Sequence, residues 1–233
     1  MVMIIETLGH ASVCIKNKYN KPVFITDPWI FGSAYWRSWW LKNYPSDNEI
    51  ENLKNVKNVF ITHEHADHFH TPSIRLLGKN PRYLIPNFAH KRMENYLKIK
   101  KYKYNIIENN KWIRLNEDLS VLCMPNIFED SILIIKCKNT IIINYNDAIF
   151  QKQIAKKIKK NINVNFPTSK TILLRSFSPA SMINCFFYNN KRIQWVPKKK
   201  FIDECLKICD FFETNYYIPF ASHASFRRFD SSW

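Results

Sequence analysis

The chain has 233 residues, 46% hydrophobic and 15% aromatic, which excludes a disordered polyelectrolyte and predicts one large domain over residues 1–233. Three glycines (Gly9, Gly32, Gly78) exclude a glycine-rich phosphate loop, and the six cysteines (Cys14, Cys123, Cys137, Cys185, Cys205, Cys209) contain no C-x-x-C pair and read as reduced thiols. A net charge of +16 attracts anions without identifying them.

Met3–Ile5 and Ala11–Lys16 read as strands, and Pro22–Thr26 as a short buried strand ending at Asp27-Pro28. Trp29–Trp40 is aromatic and irregular, a lid or a wall. Val56–Thr62 is a buried strand that stops abruptly at His63. Pro72–Leu77 reads as a short helix, Tyr83–Ile85 as a strand and Ala89–Leu97 as a helix. Trp112–Leu115, Leu119–Met124, Ser131–Cys137 and Thr140–Asn144 form consecutive strands of an antiparallel meander. A lysine-rich amphipathic helix follows over Ala148–Lys160, then a strand at Thr171–Leu174, a helix at Lys199–Phe212 and a last strand, Tyr216–Pro219, leading to His223. This order predicts two layers of sheet covered by helices rather than a doubly wound parallel sheet. No secretory pattern precedes the first strand and no apolar run approaches about 18 residues, which predicts a cytoplasmic chain with no membrane span.

The chemistry concentrates in His63-Glu64-His65-Ala66-Asp67-His68. Alternate residues of an extended segment point the same way, so His63 and His65 can reach one ion. Asp67 and His68 follow where the chain turns and can face a second. Imidazole and carboxylate together suit zinc, with iron and manganese as the alternatives. The bland alternative is a polar loop with incidental histidines.

H-x-H-x-D-H after a buried strand resembles the metallo-β-lactamase superfamily. Four further stretches resemble, more narrowly, the branch containing L-ascorbate-6-phosphate lactonase and the lactamase-like part of CMP-N-acetylneuraminate hydroxylase. They are Gly9-His10-Ala11-Ser12, Thr26-Asp27-Pro28-Trp29, Asn144-Tyr145-Asn146-Asp147 and Ile218-Pro219-Phe220-Ala221-Ser222-His223. The resemblance implies an α+β fold, a four-layer αββα sandwich, with one or two divalent metal ions. It places His63 and His65 on the first ion, Asp67, His68 and His223 on the second, and Asp147 between them, with His65, Asp67 and Asp147 catalytic. Taken alone, Asp147 would be a turn residue or the N-cap of the following helix, and His223 a surface histidine. The chain departs from the family's pattern in one place. The loop Pro125-Asn126-Ile127-Phe128-Glu129-Asp130, which should supply a third imidazole to the first ion, has none. Asn126, Glu129, Asp130, His70 and His90 stand as substitutes.

His10 is expected behind the ligands rather than among them. Asp27 either accepts the spare N–H of a ligating imidazole or forms a turn with Pro28. His70 reads as loop surface and His90 as a helix residue. Trp36 and Arg37, beside Tyr35, Trp39 and Trp40, form either a substrate wall with Arg37 meeting an anion, or a packed lid or dimer contact. Arg227, with Arg228, follows His223 and is expected at the site mouth; Arg175 is a further anion contact. The lysine runs at 98–103, 156–160 and 198–200 suit either nucleic acid or solvated helix faces. The functional expectation is a metal-dependent hydrolase acting on an anionic small-molecule ester, lactone or phosphoester. The alternatives are a di-iron oxygenase acting on a sugar nucleotide, a nuclease and a degenerate metal-binding scaffold. A homo-oligomer is compatible with all of these.

Overall fold

The computed structural model describes residues 3–177, 186–193 and 198–226. Strands β1 (Ile4–Leu8), β2 (Ser12–Lys16) and β3 (Pro22–Thr26) precede the short strands β4 (Ser33–Ala34) and β5 (Trp39–Leu41). Then come α1 (Asp47–Leu53), β6 (Asn58–Phe60), α2 (Thr71–Leu77), β7 (Arg82–Pro86), α3 (Arg92–Ile99) and β8 (Tyr104–Ile107). The second half runs β9 (Trp112–Arg114), β10 (Leu119–Pro125), a 3-10 turn (Ile127–Glu129), β11 (Ser131–Cys137), β12 (Thr140–Asn146) and α4 (Lys152–Asn165). It continues with β13 (Lys170–Ser176), β14 (Phe186–Tyr188), β15 (Lys191–Ile193), α5 (Lys198–Phe212), β16 (Tyr216–Phe220) and β17 (Ala224–Phe226).

Two six-stranded sheets carry the fold, ordered β1-β2-β3-β6-β7-β8 and β16-β13-β12-β11-β10-β9. Each is antiparallel where tight turns connect neighbours and parallel where a helix intervenes. Parallel neighbours need a long crossover, and α1, α2 and α3 supply it in the first sheet, α4 and α5 in the second.

Side-chain alternation assigns the layers. Val13 and Ile15 of β2 pack with Leu133 and Ile135 of β11, Val121 of β10 and Ile142 of β12 in a core between the sheets. The intervening residues face outward. Cys14, Ile25, Val59 and Tyr83 pack on Leu53, Ile74, Leu77, Met93 and Leu97 of α1 to α3. Ile132, Ile134, Ile141, Ile143 and Leu173 pack on Ala155, Ile158 and Ile162 of α4 and on Ile208 and Phe212 of α5. Both faces of both sheets are therefore covered, which is why these strands read as nearly continuous apolar runs. The result is a four-layer αββα sandwich, the architecture that the family resemblance implies. Among the described residues no helix is long and apolar enough to cross a membrane.

The differences from expectation are local. Helix α1 was not foreseen; Ser46 caps it, accepting from Glu49 N while the Glu49 carboxylate accepts from Ser46 N, a reciprocal capping box. Helix α4 starts at Lys152 with Gln151 as its N-cap, so Asp147 does not cap it. Lys156, Lys157 and Lys160 are exposed on its outer face, the solvated reading of that run. The segment 29–40 is not wholly irregular. It contains β4 and β5, and β5 pairs with β17 beyond His223.

Candidate metal centre

Five strand ends meet at one edge of the sandwich. Running β1, β3, β6, β10 and β12 in the direction their pairings impose puts their carboxyl ends on the same side. His10 lies in the turn after β1, Asp27 follows β3, the His63–His68 loop follows β6, Asp130 closes the loop after β10, and Asn146 and Asp147 end β12. Cross-sheet bonds close the gap: Ser131 Oγ donates to Thr62 O at 2.7 Å, and Asn146 Nδ2 donates to Asp27 Oδ2 at 3.0 Å.

Two groups of potential ligand atoms result, each mutually within 4.8 Å: His63, His68 and Asp147, and His10, Asp67 and His68. His68 Nε2 lies 3.5 Å from Asp67 Oδ2 and 3.5 Å from Asp147 Oδ2. His63 Nε2 lies 2.8 Å from His65 Nδ1, with the rings at 82°. His65 is exposed, whereas His63, Asp67 and His68 are buried. His223 belongs to neither group; its Nε2 lies 3.3 Å from Pro219 O and its ring packs on Phe177 at 5.4 Å.

The far atoms of the candidate ligands are held. Asp27, fully buried, places Oδ2 at 3.3 Å from His68 Nδ1 and accepts from Thr62 N at 2.7 Å. His63 Nδ1 has Thr62 Oγ1 at 3.0 Å and Asp130 Oδ1 at 3.4 Å. Tyr35 donates its phenol to Asp67 Oδ1 at 2.6 Å, leaving Oδ2 for the cluster. Arg175, read from sequence as an anion contact, is instead buried, and it donates to Ala148 O at 2.6 Å, tying down the loop that carries Asp147.

None of the five substitutes for the missing imidazole completes the His63–His65 pair. Asn126 bonds within its own loop and to Ile149 O, and Glu129 pairs with the exposed His90 at 2.9 Å. His90 precedes α3 rather than lying in it. His70 is buried, not surface; it caps α2 through Ser73, and burial lowers its pKa to about 4. Asp130 approaches His63 only from the Nδ1 side. Burial, and then Asp147, push its carboxyl up to about 8. Trp36 is 98% exposed on a turn where Tyr35, Trp36 and Arg37 all have positive φ, so the indole is not packed in a lid; Arg37 is exposed beside it. Arg227 and Arg228 lie outside the described residues.

Electrostatics distinguish the histidines. Burial, reinforced by His68 and His65, holds His63 well below its ordinary value and therefore neutral. Burial opposes protonation of His68 too, but Asp67, Asp147 and Asp27 outweigh it and hold His68 well above. Asp67 is driven far down by His68, His10 and Tyr35 in spite of burial. Without an ion, the centre is thus an imidazolium among carboxylates. A cation can take the proton's place there, and the donor set fits one: His68 Nε2 and both ring nitrogens of His10 are buried without a hydrogen-bond partner. Tyr35 and Asn146 escaped sequence reading. Asn146 was within reach, being inside a recognised stretch; Tyr35 carried no signal beyond its aromatic neighbours.

No family model matches the chain. It is 31% identical over 125 residues to the cytidine monophosphate-N-acetylneuraminic acid hydroxylase of Asterias rubens, covering 48% of this chain and 18% of that protein. Against the Xenopus laevis protein of the same description the identity is 28% over 150 residues, covering 60% and 25%. The matched stretches thus span a quarter or less of these relatives' length. Among solved structures the chain is similar to an isothiocyanate hydrolase from Delia radicum gut bacteria, with a TM-score of 0.59 at 11% identity over 94% of this chain and 84% of that one. That likeness is one of fold.

Proposed function

We propose that this chain is a cytoplasmic metal-dependent hydrolase acting on an anionic small-molecule ester, lactone or phosphoester, with zinc as the leading ion and iron or manganese as alternatives. The observation that carries the reading is the convergence of buried His63, Asp67 and His68 with half-buried Asp147 at the strand ends of both sheets. A divalent ion held there supplies an acidified water at neutral pH.

The chain's own residues set up that chemistry. His63 and His65 form the first pair, Asp67 and His68 the second, and Asp147 faces His68 between them. Asp27 orients the His68 ring, and Thr62 with Asp130 orients that of His63, partners of the kind ligating imidazoles require. Asp67, held strongly ionised, suits ligation more than proton uptake. Asp130, pushed up to about 8 by burial and then by Asp147 in the metal-free chain, is the carboxyl beside the centre suited to hold a proton. The net charge of +16 raises the encounter rate with anionic substrates, and exposed Arg37, two residues on from the Tyr35 that bonds Asp67, is the candidate to meet one.

The test is metal content of protein purified without chelators, followed by hydrolysis of a panel of phosphate esters and lactones. Replacing His65 and Asp67 by alanine should abolish both metal binding and turnover; unchanged metal content sinks these assignments. A second reading, a di-iron oxygenase, is supported by the sequence likeness to the sialic acid hydroxylases. Iron in the purified protein together with oxygen consumption would select it.

A further inference from the structure

We infer that His10, rather than His223, supplies the terminal imidazole to the ion held by Asp67 and His68, an inference that rests on the metal-centre reading above. His10 Nε2 lies 3.2 Å from Asp67 Oδ2, and His68 Nε2 lies 3.5 Å from the same oxygen. Nitrogen and oxygen ligands of a tetrahedral zinc, at about 2.0–2.1 Å from it, stand about 3.3 Å apart. Two of the three separations thus match ligand spacing, and the third, between the two imidazoles, is within 4.8 Å.

His10 is also built into place. Gly9 turns the chain at φ 56°, where a Cβ would lie 2.6 Å from Trp29 O, so the turn presses on that carbonyl as only glycine allows. The imidazole sits between Trp29 and Trp39, at ring separations of 5.5 and 6.2 Å, and His10 O accepts from Ala221 N at 3.0 Å. It is 2% exposed, Nδ1 makes no hydrogen bond, and Nε2 meets the Asp67 carboxylate at 3.2 Å as an ion-pair contact rather than a well-aligned hydrogen bond. Native interiors rarely leave such a ring unpaired. An ion beside Asp67 Oδ2 and His68 Nε2 gives Nε2 its partner. His223, in contrast, turns its Nε2 to the carbonyl of Pro219 on its own strand end and belongs to neither ligand group.

The experiment is zinc stoichiometry by elemental analysis and by chelator competition on the full chain, comparing wild type, His10→Gln, His10→Ala and His223→Ala. Wild type and His223→Ala should hold two ions. Both His10 variants should hold one, with the lost ion bound at least about 100-fold more weakly. Two ions in the His10 variants, or a loss on His223→Ala, overturns the inference while leaving the metal-centre reading intact. A single ion in wild type that both His10 variants lose still supports the inference; no ion in wild type overturns both. If neither His10 variant folds by circular dichroism, zinc titration of wild type with 15N-labelled histidine decides. A ligation shift at His10 Nε2 with an unmoved His223 supports the inference; the reverse overturns it.

Discussion

On one side of the centre, Asp67 and His68 are buried, and Tyr35, Asp27 and Asn146 surround the atoms that face away from the cluster. On the other, His65 is exposed, its ring contacts His63, and the loop that should bring a third imidazole ends instead in Asn126, Glu129 and Asp130. The buried side is preorganised: its partners are in place before any ion arrives, so little ordering entropy remains to be lost on binding. The open side must still assemble around its ion. The contrast predicts unequal affinities, with the buried side filling first.

His68→Ala removes the one residue found in both ligand groups and should have the largest effect, loss of the buried-side ion and of turnover, read by elemental analysis and activity. Retention of the buried-side ion would show that His68 does not hold it. Asp27→Ala leaves every proposed ligand in place but frees the His68 ring. It should weaken the buried-side ion by roughly 10- to 100-fold, and the same measurement on the open-side ion should change far less. Tyr35→Phe removes one hydrogen bond to Asp67 and should cost about tenfold on the buried side alone.

Acidity sharpens the contrast further. His68 is held above its ordinary value, so protons compete with the ion, and buried-side affinity should rise with pH until the folded-state value is passed. In the metal-free protein the stabilising proton on His68 is fully effective below the unfolded value near 6.5 and is lost as pH rises through the folded one. Asp130 acts in the same direction: folding raises its value from 3.8 to about 8, so the folded state keeps a proton that the unfolded chain sheds, and stability drains away between those limits. Asp130→Asn should therefore gain melting temperature on wild type between pH 5 and pH 8.5 in chelator, by a few degrees. An unchanged difference across that range would show that Asp130 ionises normally. His90→Ala, which breaks only an exposed pair with Glu129, should change stability by less than about 1 kcal/mol.

The buried strands were legible because both faces of each sheet are covered; Ser131–Cys137 is a strand with the bounds its apolar run implies. Elements held together by long-range pairing were not. β5 is a strand because β17 lies against it, and β8 because β7 does, which no local pattern announces. Helix α1 was readable from Ser46 and Glu49, a capping signal overlooked beside an aromatic segment. The cluster His63–His68 was visible as a contiguous motif. His10 was readable as a residue behind the ligands, but the places of Tyr35 and Asn146 were not, because they depend on how distant segments meet. The same holds for His223, whose place after the last strand did not reveal which way its ring turns.

One carboxylate has a consequence for the whole sandwich. Asp27, on the first sheet, bonds Thr62 of that sheet and Asn146 of the second, directly under the proposed ligands. A cation that takes Asp147 of the second sheet together with a histidine of the His63–His68 loop joins the same two slabs a second time, like a rivet beside a pin. Thermal unfolding must then prise both apart, so the melting temperature should climb with the logarithm of free zinc above its dissociation constant.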